Sequence, residues 1–259
     1  MPILKAYGRK QPAPLPIHRM LNRSAAGLPP TADLRPFDGP IKNQGQLGSC
    51  TGHAFAETIE WIWRKYFGLS PVLSPLYVYA KELIADGNFP ADDGSDGTTG
   101  CNVCIADGAC EDALYPDASQ AILTPTPAMD ANARQYQLGA YHGVTGSATT
   151  ISILGDPVPW PVQMGFTVYA SFESDEVASS GVYLPQPGEQ AVGGHEVKAS
   201  GYDVGATPTL RPVNCPPAVL FQNSWGADWG LGGYFWAPLS VLDDPQSDLK
   251  IVHSGGPWG

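Results

Sequence analysis

The chain reads as an α+β protein whose helices come first and whose strands come last, and two periodicities carry that reading. From Cys50 onward, Phe55, Ile59, Ile62 and Tyr66 recur at helical spacing while Glu57, Glu60 and Arg64 occupy another face, the pattern of a helix with one buried side. From Val162 onward, Val162, Met164, Phe166, Val168, Ala170 and Phe172 alternate with Gln163, Gly165, Thr167, Tyr169 and Ser171, the period-two signature of a strand. Between them, from about residue 88 to 146, no period is sustained and the stretch reads as loop.

The first thirty residues read as an extended arm. In Gln11-Pro12-Ala13-Pro14-Leu15-Pro16 the prolines set φ and remove donors, so a spacer that packs outside the body or stays mobile is expected. The alternative is an arm lying along a cleft. Ser49 is placed to cap the helix that Cys50 opens, and Gly68 to end it. A second helix takes Ser74 as cap, Pro75 as its first residue and Gly87 beyond its end. Short strand candidates follow at 182–184, 195–202, 219–223 and 233–236, separated by Gly, Pro and Asp. The expected organisation is an arm over 1–30, a helical lobe over 31–140 carrying Cys50, and a β-rich lobe over 141–259 carrying His195 and Asn223.

Bulk properties exclude more than they assert. At 259 residues and 43% hydrophobic the chain can bury a full core. A net charge of −11 and a pI near 4.7 argue against nucleic acid and anionic membranes as partners and fit an extracytoplasmic protein. No stretch approaches an 18-residue apolar span, and Met1-Pro2-Ile3-Leu4-Lys5 lacks a signal-peptide core. A monomer is expected.

Three distant blocks carry the chemistry: Gln44-Gly45-Gln46-Leu47-Gly48-Ser49-Cys50, Gly193-Gly194-His195, and Gln222-Asn223-Ser224-Trp225-Gly226. A thiol, an imidazole and a carboxamide are the groups a cysteine-dependent acyl transferase or hydrolase needs. Cys50 at a helix start is favoured as a thiolate by the helix dipole. Gln44 offers a side-chain amide and Cys50 its backbone N–H as a pair of oxyanion donors. His53, on the same rigid helix as Cys50, is expected to be structural, and Gln46 stands in the wrong register for Gln44's role. Asp92-Asp93-Gly94-Ser95-Asp96-Gly97 lacks the closing Glu of a calcium loop and reads as a solvated loop. Cys101, Cys104, Cys110 and Cys215 could make two disulfides, share a metal, or remain free. No cofactor or metal is expected.

Together these blocks resemble the papain family of cysteine peptidases. His195 and Asn223 follow Cys50 by 145 and 173 positions, in the order Gln, Cys, His, Asn, and Asn223-Ser224-Trp225-Gly226 runs on to Trp229-Gly230 and Gly233-Tyr234. Leu28-Pro29 with Asp33-Leu34-Arg35, and Leu73-Ser74-Pro75, extend the similarity. Two departures flank the nucleophile. Leu47 stands where the family has a half-cystine, and Thr51 where it has an aromatic residue, as in a divergent bacterial branch. The resemblance implies a two-lobe fold, a helical lobe packed against an antiparallel β-barrel-like lobe with the active-site cleft between. It also implies peptide-bond hydrolysis through an acyl-enzyme, with Cys50, His195, Asn223 and Gln44 catalytic and a peptide or protein as substrate. Gly97, Gly194, Glu196 and Trp225 are the implied substrate-binding residues. Glu196 stands where a small residue usually lines the pocket for the second residue before the cut. Either its carboxylate enters that pocket and favours basic side chains, or it is a solvated charge on the opposite strand face. An endopeptidase is the first reading; an exopeptidase or acyltransferase on the same scaffold, or a catalytically silent binding protein, are the alternatives.

Overall fold

The computed structural model describes residues 7–12 and 20–253, with the backbone alone for 251–253. Ala13, Pro14, Leu15 and Pro16 of the proline-rich stretch lie outside the described residues.

Helix α1 (Cys50–Ile62) is buried on every residue and continues into a π-helical turn, Trp63–Phe67, which Gly68 ends at φ 67°. A helix buried all round cannot show a single apolar stripe: Glu57 and Glu60, expected on an outer face, are buried as well. Lys42 answers Glu60 at 2.8 Å. Helix α2 (Pro75–Ala85) packs on α1 and begins as expected, with the Ser74 hydroxyl accepting the Tyr77 N–H at 3.0 Å and Pro75 in the first position.

The stretch read as loop contains two α-helices and a strand, and a third helix begins at its end. Helix α3 (Gly97–Ala106) has two glycines and two threonines in its first turn, a composition of poor intrinsic propensity. Asp96 caps it, accepting from the Thr98 and Thr99 N–H groups at 2.7 and 3.1 Å. Close packing then holds it: a Cβ on Gly100 would lie 2.1 Å from the Phe55 ring. Helix α4 (Pro127–Ala133), strand β3 (Ala140–Val144) and helix α5 (Gly146–Leu154) follow.

Strands β1 (Met20–Leu21) and β2 (Thr31–Asp33) precede the helices yet belong to the same sheet as β4 (Val162–Tyr169), β5 (Ala191–Asp203), β6 (Ala218–Gln222), β7 (Tyr234–Pro238) and β8 (Asp248–His253). Helix α6 (Asp175–Ser180) and the short α7 (Leu239–Leu242) lie between these strands in sequence. The order is β1-β3-β8-β4-β5-β6-β7, with β2 paired to β5, and all pairings but β1–β3 are antiparallel. Among the described residues the sheet does not close, so the barrel-like expectation gives way to an open, strongly irregular sheet. Strand β5 explains the shape: its first part pairs with β4, its last residues with β2 and β6, and its register slips between Ala199 and Gly201. The residues expected as a strand at 182–184 make only an isolated bridge, Val182 to Trp236. The α+β two-lobe fold stands. One apolar cluster runs through both halves, from Phe55, Trp61 and Leu76 to Met164, Phe166 and Tyr202.

Candidate active site

The helical wall is built by the loop before α1. The Gln44 backbone N–H donates to Ser224 O at 2.9 Å, the Ser224 hydroxyl donates to Gln44 Oε1 at 2.6 Å, and Gln44 Nε2 donates to Leu47 O at 2.9 Å. With its oxygen held by Ser224, the amide directs its nitrogen toward the nucleophile loop. Gly48 N–H donates to Asp92, which also accepts the Tyr79 hydroxyl at 2.5 Å. This loop therefore rests on residues that the three motif blocks do not contain. Ser49 occupies the cap position of α1, but its hydroxyl makes no capping bond. Position and capping chemistry are separable here because both His53 N–H and His53 Nδ1 bond to the Ser49 carbonyl, at 3.1 and 2.8 Å. His53 Nε2 meets Asp117 Oδ1 at 3.1 Å, so both ring nitrogens are engaged away from any substrate.

The sheet wall supplies the imidazole. His195 sits in β5, and its Nε2 donates to Asn223 Oδ1 at 2.8 Å. That oxygen also accepts the Ser224 N–H at 2.9 Å, and Asn223 N–H donates to Gly233 O at 2.9 Å. The Trp225 ring lies 5.0 Å from the His195 ring at an interplanar angle of 33°, covering a hydrogen bond that gains strength away from water. Because the carboxamide oxygen can only accept, Nε2 carries the proton and Nδ1 is the ring nitrogen that exchanges one. Cys50 is fully buried and lies against the backbone of Glu196, the residue after His195. The three blocks thus meet where helix and sheet abut.

The arm lies between the two walls. Arg9 N–H donates to Gly194 O at 3.2 Å, Lys10 N–H to Ser95 O at 2.6 Å, and Ser95 N–H to Gly8 O at 2.8 Å. The expectation of a spacer packing outside the body is corrected for residues 7–10: they lie in the cleft, the Tyr7 ring edge-on to His195 and Trp225. Close approach makes glycine necessary. A Cβ on Gly8 would lie 1.5 Å from Gly48 O, and one on Gly193 would lie 2.6 Å from the Tyr7 ring. Ser95, rather than Gly97, is the residue that pairs with the chain in the cleft. Gly97 instead faces the Glu196, Asp248 and Lys250 side chains. Proline content alone gives no signal for this; the signal lies in Tyr7, Gly8 and Arg9, ahead of the prolines.

Electrostatics in this covered state push toward the thiol. Burial pushes the Cys50 thiol from 9.0 up to about 12, the Glu196 carboxylate pushes the same way, and the N–H groups of Glu196 and Gly8 pull back only in part. A helix N-terminus, worth about 0.3–1 kcal/mol, is less than the ~1.4 kcal/mol that one pH unit represents, so the dipole by itself does not offset the burial. Glu196 is itself lifted to about 8, by burial first and then by Asp248, with Lys250 and Arg9 opposing. It is buried rather than solvated on an outer face.

All five cysteines are free and buried. Among the described residues no group of three His, Cys, Asp or Glu is placed to hold a metal, and no helix is long and apolar enough to cross a membrane.

Comparison with known proteins agrees with this geometry. The model of the papain family cysteine protease domain matches residues 28–241, and the chain belongs to that family; its class is that of a cysteine peptidase, a hydrolase. It is 25% identical to xylellain, a cysteine protease from Xylella fastidiosa, with a TM-score of 0.82 over 97% of each chain. Among curated relatives, it is 27% identical to an uncharacterized peptidase C1-like protein of Acanthamoeba polyphaga mimivirus over 81% of this chain and 68% of that one. It is also 27% identical to the oryzain gamma chain of Oryza sativa subsp. japonica, over 84% of this chain and 57% of that one. The chain thus spans about two thirds or less of the curated relatives it matches.

Proposed function

We propose that the protein hydrolyses peptide bonds within polypeptides, with Cys50 as nucleophile, His195 as proton carrier, Asn223 as the group that orients His195, and Gln44 as an oxyanion donor. The observation that carries this reading is the His195–Asn223 hydrogen bond at 2.8 Å, on a strand whose next residue packs on the buried thiol at the start of α1. Once the arm leaves, water and substrate reach the cleft, the burial that holds the thiol protonated is relieved, and the proton passes to His195 Nδ1. The sulfur attacks the scissile carbonyl carbon, and the developing oxyanion takes the Gln44 amide and the Cys50 N–H. His195 then gives its proton to the departing amine. A water, losing a proton to the same nitrogen, breaks the thioester and releases the acid. Gly194 O and the Ser95 backbone are the edges along which an extended substrate would pair, and Trp225 shields the His195–Asn223 bond.

Cutting within chains is supported by the arm itself. Residues 7–10 occupy the cleft with further chain on both sides of them, so the groove takes an internal segment. The test is covalent labelling by an epoxide electrophile in the full chain carrying Gly8→Ala, whose added methyl cannot coexist with Gly48 O. Labelling that vanishes in Cys50→Ala, together with cleavage of internal bonds in a denatured protein, is expected. Labelling absent from the thiol, or cleavage confined to chain ends, would count against the respective halves of the proposal.

A further inference from the structure

The Glu196 carboxylate is 1% exposed as a residue, and neither oxygen has a hydrogen-bond partner. A buried carboxylate in that condition is costly unless something pairs with it. The cationic side chain beside it is Arg9, close enough to act on its charge but making no ion pair with it. A Cβ on Gly165, opposite Glu196 in the β4–β5 ladder, would lie 2.4 Å from Arg9 Nε and 2.6 Å from Glu196 Oε2, so both side chains crowd the hollow that this glycine leaves. Arg9 is 8% exposed, Arg9 Nε is likewise without a hydrogen-bond partner, and its Nη2 donates to Gln246 O at 3.5 Å. The remaining charges around the carboxylate are the Asp248–Lys250 ion pair, Asp96 and, further round, Glu82. The one lysine is taken by its own aspartate, so the hollow is left acidic on the side where Arg9 enters.

We propose that Glu196 is the specificity residue of this peptidase, that its pocket takes a cationic arginine- or lysine-like side chain of the substrate, and that Arg9 is the pocket's internal occupant. The inference rests on the catalytic reading given above. The backbone of the occupant is paired to the cleft. The Gly8 carbonyl oxygen accepts from Ser95 N–H, and what Gly8 turns toward the Cys50 sulfur is its N–H. A substrate would compete with Arg9 for the same carboxylate, so the charge that selects the substrate also holds the arm in place.

The experiment uses the full chain as wild type, Arg9→Ala, Arg9→Glu, and Glu196→Gln in the Arg9→Ala background. Two readouts are taken: the rate at which a small uncharged epoxide labels Cys50, and kcat/KM on peptides with Arg, Lys, Leu or Glu as the second residue before the cut. Arg9→Ala and Arg9→Glu should label at least about tenfold faster than wild type. Arg9→Ala should cut the Arg and Lys peptides at least about 30-fold better than the Leu peptide, the lower end of what losing one partner of a buried charge pair costs. Glu196→Gln should bring the Arg and Leu peptides within about threefold of each other. A protein that labels and cuts without preferring a cation, or that keeps the preference after Glu196→Gln, overturns the pocket and leaves the catalytic reading standing. Labelling unchanged by both Arg9 substitutions overturns Arg9 as the occupant. A protein that neither labels nor cuts in any Arg9 variant takes down the catalytic reading, and this inference with it.

Discussion

Asp203 and Glu196 sit on the same strand, both sealed from solvent, and they are opposites. Asp203 is saturated: its oxygens accept the N–H groups of Gly205, Thr209, Leu210 and Arg211 and pair with the Arg211 guanidinium at 2.9 Å. Burial alone would raise its pKa, but those donors hold it below the usual carboxylate range. Glu196 has no donor, and burial leads its pKa to about 8. The difference teaches how to read a buried carboxylate. Saturated with donors, it is part of the scaffold; orphaned beside a cleft, it waits for a ligand.

The largest effect that sharpens the contrast lies on the cleft side. His195→Ala should lower activity on the order of 10⁶-fold, whereas His53→Ala, whose ring is tied to Ser49 O and Asp117, should stay within about tenfold. A steady-state assay in the Arg9→Ala background checks both, and the reverse ranking would break the assignment of the two histidines. Next comes the scaffold side. Asp203→Ala leaves Arg211 buried and unpaired and should cost about 3–5 kcal/mol, read as a lower urea midpoint with unchanged substrate preference. A loss under about 1 kcal/mol, the net worth of a single ordinary hydrogen bond, would mean that the donors around Asp203 do not carry that loop.

A third test uses pH. Glu57, Glu60, Glu82 and Glu196 all have raised folded-state values. The stability they contribute is complete below about 4.5 and is lost as pH rises through those values, because the unfolded chain sheds the protons first. Asp33, Asp117, Asp130 and Asp203 are lowered, so their contribution is present above 3.8 and lost as pH falls through the folded values. Thermal stability should therefore peak in the mildly acidic range and decline from about pH 5 to pH 8. A Tm that rises over that interval would contradict the carboxylate environments described. The smallest effect sharpens the same point: Glu196→Gln should leave Tm nearly unchanged at about pH 4.5 and raise it by a few degrees near pH 8, flattening the slope.

Much of the site is legible in the sequence because its parts are short-range. Ser74 and Pro75 open α2 through bonds within one turn, and Cys50 opens α1 at the residue the pattern names. The four residues proposed to act, Gln44, Cys50, His195 and Asn223, are recognisable by type and order. Helix α3 is not legible because Gly97, Thr98, Thr99 and Gly100 are poor helix formers, and the Asp96 cap and the contact of Gly100 with Phe55 decide the matter. Strand β8 escapes the periodicity because a six-residue segment after the last motif carries no strong alternation; its pairing with β3 and β4 makes it a strand.

Taken alone, the sequence determined the class of protein and named the groups proposed to react, since these depend on residue type and on the order of short motifs. Tertiary structure alone decided that Asp92 and Ser224 hold the nucleophile loop and the Gln44 amide, that Glu196 is buried and orphaned, and that Tyr7, Gly8 and Arg9 lie across the cleft. Each of those outcomes depends on dielectric, donor count and close approach between segments far apart in the chain, and local patterning carries no information about such distances.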